Sequence, residues 1–374
     1  MRPIRVLSLF DGMSCGQIAL RDLGIPIEVY YASEIDKFAI QQTQLNFPDT
    51  VQLGDVRNID VDKLCDEVGE FDLLLAGFPC TDLSLAGTRR GMSTTTKEKV
   101  TSLSQYIDLK DAGFEFAGQS YLFWEFVRIF QRLRVSLPKL LFLLENVEVG
   151  KEWEAVISNT LGIHGVHINS ALVSAQYRKR IYWSNIRVRE EGLFGYRYTD
   201  IPQPADRGII LKDILETDVE EKYYLKDEVV QKLLEHKERH KEAGHGFGAV
   251  FHDTDGKMGA VKVGGKGFDD LVKIEANSHL LKNITDIKGK AHTLLASTYK
   301  GAGTNGMSLI EEDKDDGRYR IRRITPTEAA RLQTVPEWYK WECSATQQYR
   351  MLGNGWTVEV IKHIFSFMRL EDTV

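Results

Sequence analysis

A cysteine directly after a proline is the first residue of this sequence whose surroundings point to chemistry. Cys80 follows an apolar run and a turn ending in Pro79, and a polar stretch comes next. Proline restricts the backbone before the thiol, and the polar continuation predicts an accessible loop. A cysteine in a core strand is usually a small buried hydrophobe, and we expect this of Cys15, Cys65 and Cys343. Cys80 is therefore the candidate nucleophile.

One carboxyl group and two arginines form a second candidate cluster. Glu145 follows the apolar run 139–144, where partial desolvation would let it hold a proton near neutral pH and act as an acid. The alternative is a solvated loop glutamate. Arg178 and Arg180 alternate in a strand-like segment and so project to one face, where they orient Glu145 or grip a phosphate. The alternative for them is a charged edge strand.

Three further positions favour an adenosine-containing ligand. Phe10-Asp11-Gly12 lies in a turn between a strand and a helix, where the backbone has room for a ligand. Glu34 lies 34 − 12 = 22 residues beyond Gly12, at the distance of an acidic residue that binds ribose hydroxyls. Asp55 could accept a hydrogen bond from an adenine amino group. The alternatives are an empty turn for Phe10-Asp11-Gly12, a surface carboxylate for Glu34 and a helix N-cap for Asp55. The turn lacks GxGxxG spacing, which disfavours a dinucleotide as the ligand.

Apolar runs alternate with helical spacing through the first 190 residues. Strands are predicted at 4–10, 28–33, 51–53, 71–76 and 139–144, and helices at 17–23 and 37–45. This alternation predicts an α/β fold with a mostly parallel sheet and helices on both faces. Two later β-rich runs, 168–173 and 180–183, predict an antiparallel pair at one edge.

The length and composition are those of an ordinary globular protein with more than one domain. The chain has 374 residues, of which 43% are hydrophobic. The residues after 187 are loop-rich until the chain becomes helical again from Thr325, and the last predicted helix is at 358–368. No apolar run approaches the roughly 20 residues of a membrane span. The four cysteines form no CxxC pair, so we expect no metal and a reducing, cytoplasmic location.

The charge balance alone does not favour a nucleic-acid partner. The formal net charge is −6, whereas phosphate contacts need lysine and arginine. Local charge can override that sum, because Arg318, Arg320, Arg322 and Arg323 form a basic cluster.

In chain order, these motifs resemble the cytosine-5 DNA methyltransferase family, with some likeness to the animal de novo methyltransferases. The motifs are Phe10-Asp11-Gly12, Glu34, Asp55, Pro79-Cys80, Glu145-Asn146-Val147, Gln176-x-Arg178-x-Arg180 and Gly353-Asn354. The resemblance implies a Rossmann-like S-adenosylmethionine methyltransferase sheet with a smaller, loop-rich target-recognition domain. Expected boundaries are a catalytic and cofactor-binding domain at 1–187, the target-recognition domain at 188–317, and a C-terminal segment at 318–374 that returns to the first domain.

The resemblance also implies which residues meet the substrates. S-adenosyl-L-methionine would contact Phe10, Asp11, Gly12, Glu34, Ile35, Asp55, Val56, Pro79, Leu122, Asn354 and Trp356. A cytosine flipped out of double-stranded DNA would enter a pocket lined by Cys80, Glu145 and Arg178, with Arg180 completing the catalytic set. Cys80 would add to carbon 6 while Glu145 binds the exocyclic amine and ring nitrogen 3. We expect a monomer to act on the DNA.

The stretch after the nucleophile departs from the family. Thr81 stands where bacterial members commonly have glutamine, and the segment 88–120 is longer than the usual catalytic loop. We interpret that segment as a mobile lid that closes over DNA; a plain surface loop is the alternative. DNA contacts are expected at Ser84, Arg89, Arg90 and Gln176.

Two other functions are compatible with the same motifs. Methyl transfer to transfer RNA is one, although the long middle region favours DNA. A catalytically inactive DNA-binding regulator is the other, although every reactive position is filled. The recognised base sequence and any pairing with a restriction enzyme stay open at this point.

Overall fold

The computed structural model describes residues 2–80, 83, 92–193, 195–226, 228–229, 235, 250–252, 255–260, 270–275, 284–286, 309–311 and 319–369. Two compact units are present: Met1–Ile214, Gly259–Gly264 and Pro326–Val374 form the first, and Leu215–Met258 and Gly265–Thr325 form the second. Within the described part of the chain, no helix is long and apolar enough to cross a membrane. No group of His, Cys, Asp or Glu side chains in that part could hold a metal ion.

The first unit contains strands β1 to β10 and nine α-helices, counted over its described residues. The strands are β1 Ile4–Leu9, β2 Ile27–Ser33, β3 Val51–Gln52, β4 Leu73–Ala76, β5 Leu141–Val147, β6 Val166–Asn169, β7 Gln176–Tyr177, β8 Lys179–Ser184, β9 Val188–Glu191 and β10 Tyr196–Thr199. The helices are α1 Cys15–Asp22, α2 Lys37–Asn46, α3 Val61–Val68, α4 Leu103–Asp111, α5 Phe123–Ser136, α6 Lys151–Leu161, α7 Pro326–Leu332, α8 Ala345–Asn354 and α9 Val358–Phe365.

Seven of these strands form one sheet in the order β3-β2-β1-β4-β5-β8-β6. The strands β3, β2, β1, β4 and β5 are parallel, whereas β8 runs antiparallel to both β5 and β6. Every residue of β4 is buried, as expected of a central parallel strand covered on both faces. The predicted α/β fold and the antiparallel pair at one edge are confirmed.

The C-terminal segment completes this unit by returning to its beginning. Helix α9 packs against α1, and its apolar residues Val360, Ile361 and Ile364 are fully buried. Helix α8 begins at a Ser344 cap, whose hydroxyl accepts from the Gln347 amide. The loop between α8 and α9 therefore lies in the same unit as the turn after β1.

The second unit is built from short strands. Its elements include β11 Val250–His252, β13 Asp270–Glu275, β14 Ile284–Asp286, β15 Leu309–Glu311 and β16 Tyr319–Arg323, while β12 spans Met258–Gly259. Strand β13 pairs in parallel with β11 and antiparallel with β16. Arg322 of the basic cluster is 1% exposed, so this arginine is part of the core of the unit. Arg318 lies outside the described residues.

The observed boundaries differ from those expected at 187/188 and 317/318. Strands β9 and β10 belong to the first unit, because Tyr198 bridges to His164 and the Thr199 hydroxyl accepts from the Ser184 amide at 2.9 Å. The stretch 319–325 belongs to the second unit, because β16 pairs with β13.

The segment 92–120 contains a helix and is folded, so it is not the plain surface loop of the alternative; the lid predicted over 88–120 stays a prediction. The helix is α4, and Tyr106 of α4 is 1% exposed. The Tyr106 hydroxyl and the Lys110 ammonium each donate to Glu125 Oε1 of α5 at 2.6 Å. Glu125 is fully buried, so these bonds fasten α4 to the core. Residues 88–91 lie outside the described residues.

Candidate active site

The carboxyl ends of the parallel strands bring the predicted catalytic residues to one edge of the sheet. Ala76, the last residue of β4, pairs with Leu144 of β5, so Cys80 and Glu145 follow neighbouring positions. Strand β5 runs on to Val147, and Glu145 is thus inside the strand rather than after it. The side-chain amide of Asn146 donates from Nδ2 to the Phe78 carbonyl at 3.1 Å. This bond fastens the loop that carries Cys80 to β5.

Glu145 is a buried carboxyl group paired with one arginine. Glu145 is 7% exposed, and Arg180 Nε lies 3.0 Å from Glu145 Oε1. Burial raises the pKa of Glu145, while Arg180, Arg178 and a hydrogen bond from Trp356 oppose that rise. The group therefore binds its proton more tightly than an exposed glutamate and remains oriented by Arg180.

Arg178 has a different set of partners from Arg180. It is 3% exposed, and its Nη2 donates to the Gly355 carbonyl at 2.8 Å and to the Gly353 carbonyl at 3.1 Å. Burial, together with the charge of Arg180, lowers the pKa of Arg178 to about 10. Of the two arginines predicted to orient Glu145, Arg180 forms the ion pair, and Arg178 holds the C-terminal segment beside it.

Cys80 is partly buried at this edge and electrostatically coupled to the same charges. Burial raises the pKa of the Cys80 thiol, and the charge of Glu145 raises it further, while Arg180 and Arg178 lower it. The Pro79 carbonyl accepts from the Ser120 hydroxyl at 2.9 Å. The thiol is thus mostly protonated at rest and lies within the field of two cations that favour the thiolate.

Cys15 behaves as the buried hydrophobe that was expected. It is 4% exposed, and burial raises the pKa of its thiol to about 12. Cys65 and Cys343 are partly exposed, and burial raises both of their thiol pKa values.

The turn after β1 has an unusual backbone. Phe10, Gly12 and Ser14 all have left-handed φ angles, of 58°, 59° and 64°. A left-handed φ strains a residue that carries a side chain, and such strain clusters at functional sites. A Cβ atom added at Gly12 would meet no atom within 4 Å, so open space lies above the turn.

Glu34 faces this turn and is held by backbone donors. The Gly12 amide donates to its Oε2 at 2.8 Å, and the amides of Ile35 and Asp36 donate to its Oε1 at 2.8 Å. A carboxylate has about four acceptor positions, and these bonds use three of them. The fixed carboxylate is oriented and still has capacity for a ligand hydroxyl. Ile35 next to it is 67% exposed.

Asp55 and Asp11 are engaged within the protein. Asp55 caps the short helix Val56–Asn58 by accepting from the Arg57 amide, and it pairs with Arg57 Nη2 at 2.5 Å. This is the N-cap alternative, and an adenine contact of Asp55 stays a prediction. Asp11 accepts from the Tyr30 hydroxyl at 2.8 Å, and burial raises the pKa of Asp11 to about 6. Its carboxyl group therefore points into the core.

The other expected cofactor residues differ in exposure. Asn354 is exposed at the end of α8, and Leu122 is partly buried. Val56 is 4% exposed and Trp356 is 9% exposed. The Trp356 indole packs so closely on Gly77 that a Cβ atom there would lie 2.8 Å from Nε1.

Gln176, where a DNA contact was predicted, is a core residue of this structure. Its side chain is fully buried, and its Nε2 donates to Gln333 Oε1 at 3.0 Å and to the Leu332 carbonyl at 2.5 Å. Ser84, Arg89 and Arg90 lie outside the described residues.

Two buried residues at this edge were missed. Gln333 bonds to Gln176 and to the Leu352 carbonyl near the end of α8, and the Tyr339 hydroxyl donates to the Met13 carbonyl at 2.9 Å. A glutamine directly after an apolar helix and a tyrosine between two tryptophans were the available signals.

The fold defines the class of protein. Its strand order is that of a Rossmann-like methyltransferase, and solved structures share the architecture. The methyltransferase EhMeth of Entamoeba histolytica aligns with a TM-score of 0.60 and 14% identity, covering 98% of each chain. The Dnmt2 methyltransferase of S. pombe aligns with a TM-score of 0.58 and 16% identity, covering 97% of each chain.

Sequence comparison then gives the family. The chain belongs to the C-5 cytosine-specific DNA methylase family, which matches residues 4–369. It is 28% identical over 369 residues to the type II methyltransferase M.HpaII of Haemophilus parainfluenzae, covering 95% of this chain and 86% of that protein. It is 26% identical to the orphan methyltransferase M.SPRI of Bacillus phage SPR, covering 98% of this chain and 97% of that protein. The resemblance inferred from motif order is confirmed, and the chain is a DNA cytosine-5 methyltransferase.

Proposed function

We propose that this enzyme transfers a methyl group from S-adenosylmethionine to carbon 5 of a cytosine flipped out of duplex DNA, with Cys80 as a covalent nucleophile. The observation that carries the proposal is the placement of Cys80 beside the buried Glu145–Arg180 pair at one edge of the sheet. A nucleophile needs a neighbouring acid when its target is an electron-poor ring that must gain a proton as the bond forms.

Cys80, Glu145 and water account for each proton in the reaction. The Cys80 thiol gives its proton to solvent water, and the thiolate bonds to carbon 6 while Glu145 gives its proton to ring nitrogen 3 and the electron pair of the 5,6 double bond becomes available on carbon 5. Carbon 5 accepts the methyl group. Water then removes the carbon 5 proton, the double bond forms again, the bond from sulfur to carbon 6 breaks, and nitrogen 3 returns its proton to Glu145.

The residues at the turn after β1 fit the proposed cofactor. S-adenosylmethionine would supply the methyl group on a positively charged sulfonium. Glu34 is held with acceptor capacity remaining, and Gly12 and Gly54 are left-handed with no atom within 4 Å of an added Cβ. Phe10, Ile35, Leu122, Asn354 and Trp356 would complete the contacts. The cofactor has no phosphate and so does not need the GxGxxG turn that is missing here.

The second unit is the proposed target-recognition domain. It is built from short strands inserted between the first unit and its C-terminal return. The aligned relatives M.HpaII and M.SPRI are named a type II and an orphan methyltransferase. We therefore assign this chain a specific duplex sequence as its substrate, within a restriction-modification system or as an orphan enzyme.

Methyl transfer from labelled S-adenosylmethionine to duplex DNA tests the proposal directly. We expect transfer that is lost in Cys80→Ala and retained in the matched cysteine variant Cys343→Ala. Duplex DNA containing 5-fluorocytosine should form a denaturation-resistant adduct with the wild type and none with Cys80→Ala. Activity that survives in Cys80→Ala overturns the covalent mechanism. Transfer RNA that competes better than DNA overturns the substrate.

A further inference from the structure

A buried polar cluster joins three distant parts of the first unit. Gln333, directly after α7, is 1% exposed, and its Oε1 accepts from Gln176 Nε2 and from the Thr357 hydroxyl, both at 3.0 Å. The Thr357 hydroxyl also lies 2.8 Å from the Ser170 hydroxyl. Gln176, Thr357 and Ser170 are each at most 1% exposed. Buried polar groups of this kind are costly unless every partner is present.

The other end of the Gln333 side-chain amide holds the end of α8 and the residues that follow it. We call residues 352–357, which comprise the last residues of α8 and the link to α9, the return loop. Gln333 Nε2 donates to the Leu352 carbonyl at 2.6 Å and to the Gly355 carbonyl at 3.4 Å. The Gln333 carbonyl also accepts from the Val358 amide at 3.0 Å. One side chain therefore donates to the return loop and accepts from both the loop and the strand β7, which only an amide can do in this position.

The backbone beside Gln333 is strained. Thr334 has a left-handed φ of 55°, which is a genuine outlier for a β-branched residue. Its hydroxyl accepts from the Glu359 amide at 2.9 Å, so the strain is held by the helix that follows the return loop. Strain of this kind persists where the surrounding structure fixes it, and it clusters at functional sites.

The return loop connects this cluster to the catalytic residues. Arg178 donates to the loop carbonyls of Gly353 and Gly355. Trp356 of the loop packs on Gly77, three residues before Cys80, and opposes the rise in the pKa of Glu145. Gln333 thus contacts no reacting group itself but fixes the loop that packs beside the Cys80 segment.

We propose that Gln333 is a positioning residue that sets the return loop, and through Trp356 the orientation of Glu145; the proposal rests on the methyl transfer proposed above. An error of about 1 Å in a catalytic group can cost roughly 100-fold in rate. Losing the two N–H bonds from Gln333 would release the loop by such an amount without removing any catalytic residue.

Gln333→Met keeps the side-chain length and removes every polar contact of that side chain, while the backbone bond to Val358 remains. We expect kcat for methyl transfer to fall roughly 10–100-fold and amide hydrogen exchange in the return loop to accelerate. Moving Trp356 away should remove its lowering effect and so raise the pKa of Glu145. Because Glu145 acts with its proton on, the alkaline fall of kcat should move to higher pH. Gln333→Glu regains one donor when it is protonated, so its activity relative to wild type should rise as the pH falls.

The control is Gln42→Met, which removes another glutamine that is 2% exposed and bonded across the chain to the Lys340 carbonyl. It should lose stability and keep the wild-type pH profile. If Gln333→Met does not fold, Thr357→Val removes the two bonds that the Thr357 hydroxyl makes with Gln333 and Ser170 and should shift kcat in the same direction by less. A variant with faster loop exchange but unchanged kcat, KM and pH profile overturns the positioning role. Wild-type enzyme without methyl transfer refutes the proposed function, whereas unchanged loop exchange in Gln333→Met refutes this inference alone.

Discussion

Arg180 Nε lies 3.0 Å from Glu145 Oε1 across two antiparallel strands, and the ion pair is almost buried. Arg180 is paired in register with Val147, two residues beyond Glu145, so the contact is a diagonal one along the same face of the sheet. The guanidinium thereby touches the acid and lies in the electrostatic field of Cys80. The acid and the nucleophile are coupled, and changing one should change the other.

Glu145→Gln should separate thiol reactivity from catalysis. The charge of Glu145 raises the pKa of Cys80, so its removal should lower that pKa and make alkylation by iodoacetamide several-fold faster at pH values where Glu145 of the wild type is ionised. Methyl transfer should fall by about 10²–10⁴-fold, because the acid is lost. Glu148→Gln is the control, since Glu148 lies on the same chain segment but faces His167. Slower alkylation of Cys80 in Glu145→Gln would contradict the coupling.

Arg180→Met should make stability more dependent on pH. Burial already raises the pKa of Glu145, and Arg180 opposes the rise, so the variant should raise it further. A carboxyl group with a raised pKa stabilises the fold most below its unfolded pKa, and that contribution is lost as the pH rises through the folded pKa. The destabilisation should therefore grow with pH, reaching about 3–5 kcal/mol at most, as for a broken buried pair.

Urea denaturation of Arg180→Met at several pH values between 5 and 9 measures this effect. Arg187→Met is the matched control, since Arg187 pairs with Asp200 at 2.9 Å and is 49% exposed. An exposed pair of that kind contributes about 0–1 kcal/mol. If both variants lost the same free energy of unfolding, or if the loss in Arg180→Met did not change with pH, Glu145 would not be held by Arg180.

Much of the sheet could be predicted because its strands are buried on both faces. The runs before Cys80 and Glu145 are continuous apolar stretches, and they became the adjacent strands β4 and β5. Strand order itself is not encoded in such runs. The segment containing α4 was missed because only Tyr106 of that helix is buried, so its sequence has no apolar stripe to indicate a helix.

The partners of the arginines could not be read from local spacing, whereas the orientation of Gln176 could have been. Arg178 bonds to carbonyl groups 175 and 177 residues later, and no local pattern specifies such contacts. Gln176, however, lies two residues before Arg178 in an extended segment and so points to the same face, whereas Tyr177 between them points to the opposite face and is 57% exposed. A period of two puts Gln176 on the inner face with Arg178, which argues against a DNA contact.

Gly77→Ala should disturb the contact between Trp356 and the loop that carries Cys80. A Cβ atom at residue 77 would lie 2.8 Å from the Trp356 indole nitrogen, and overpacking of this kind costs about 1–3 kcal/mol. Gly165→Ala is a matched control, with a Cβ atom 2.7 Å from Ile181 Cγ2. Both should lose stability in thermal denaturation, but only Gly77→Ala should lower kcat. Equal kcat values would show that Trp356 does not act on the site.

Asp11→Asn should remove a pH dependence of the free energy of unfolding that originates in the turn after β1. Burial raises the pKa of Asp11 from 3.8 to about 6, so this carboxyl group favours the folded state below the unfolded value and loses that contribution as the pH rises through about 6. The full loss corresponds to about 3 kcal/mol at most. Asparagine carries no charge and still accepts from Tyr30, so the free energy of unfolding of the variant, relative to wild type, should rise between pH 4 and 7 and level off above. Asp49→Asn, on the loop before β3, is the control. A constant difference between Asp11→Asn and wild type over that range would show that Asp11 ionises without cost, and that the turn after β1 is more open to water than its burial indicates.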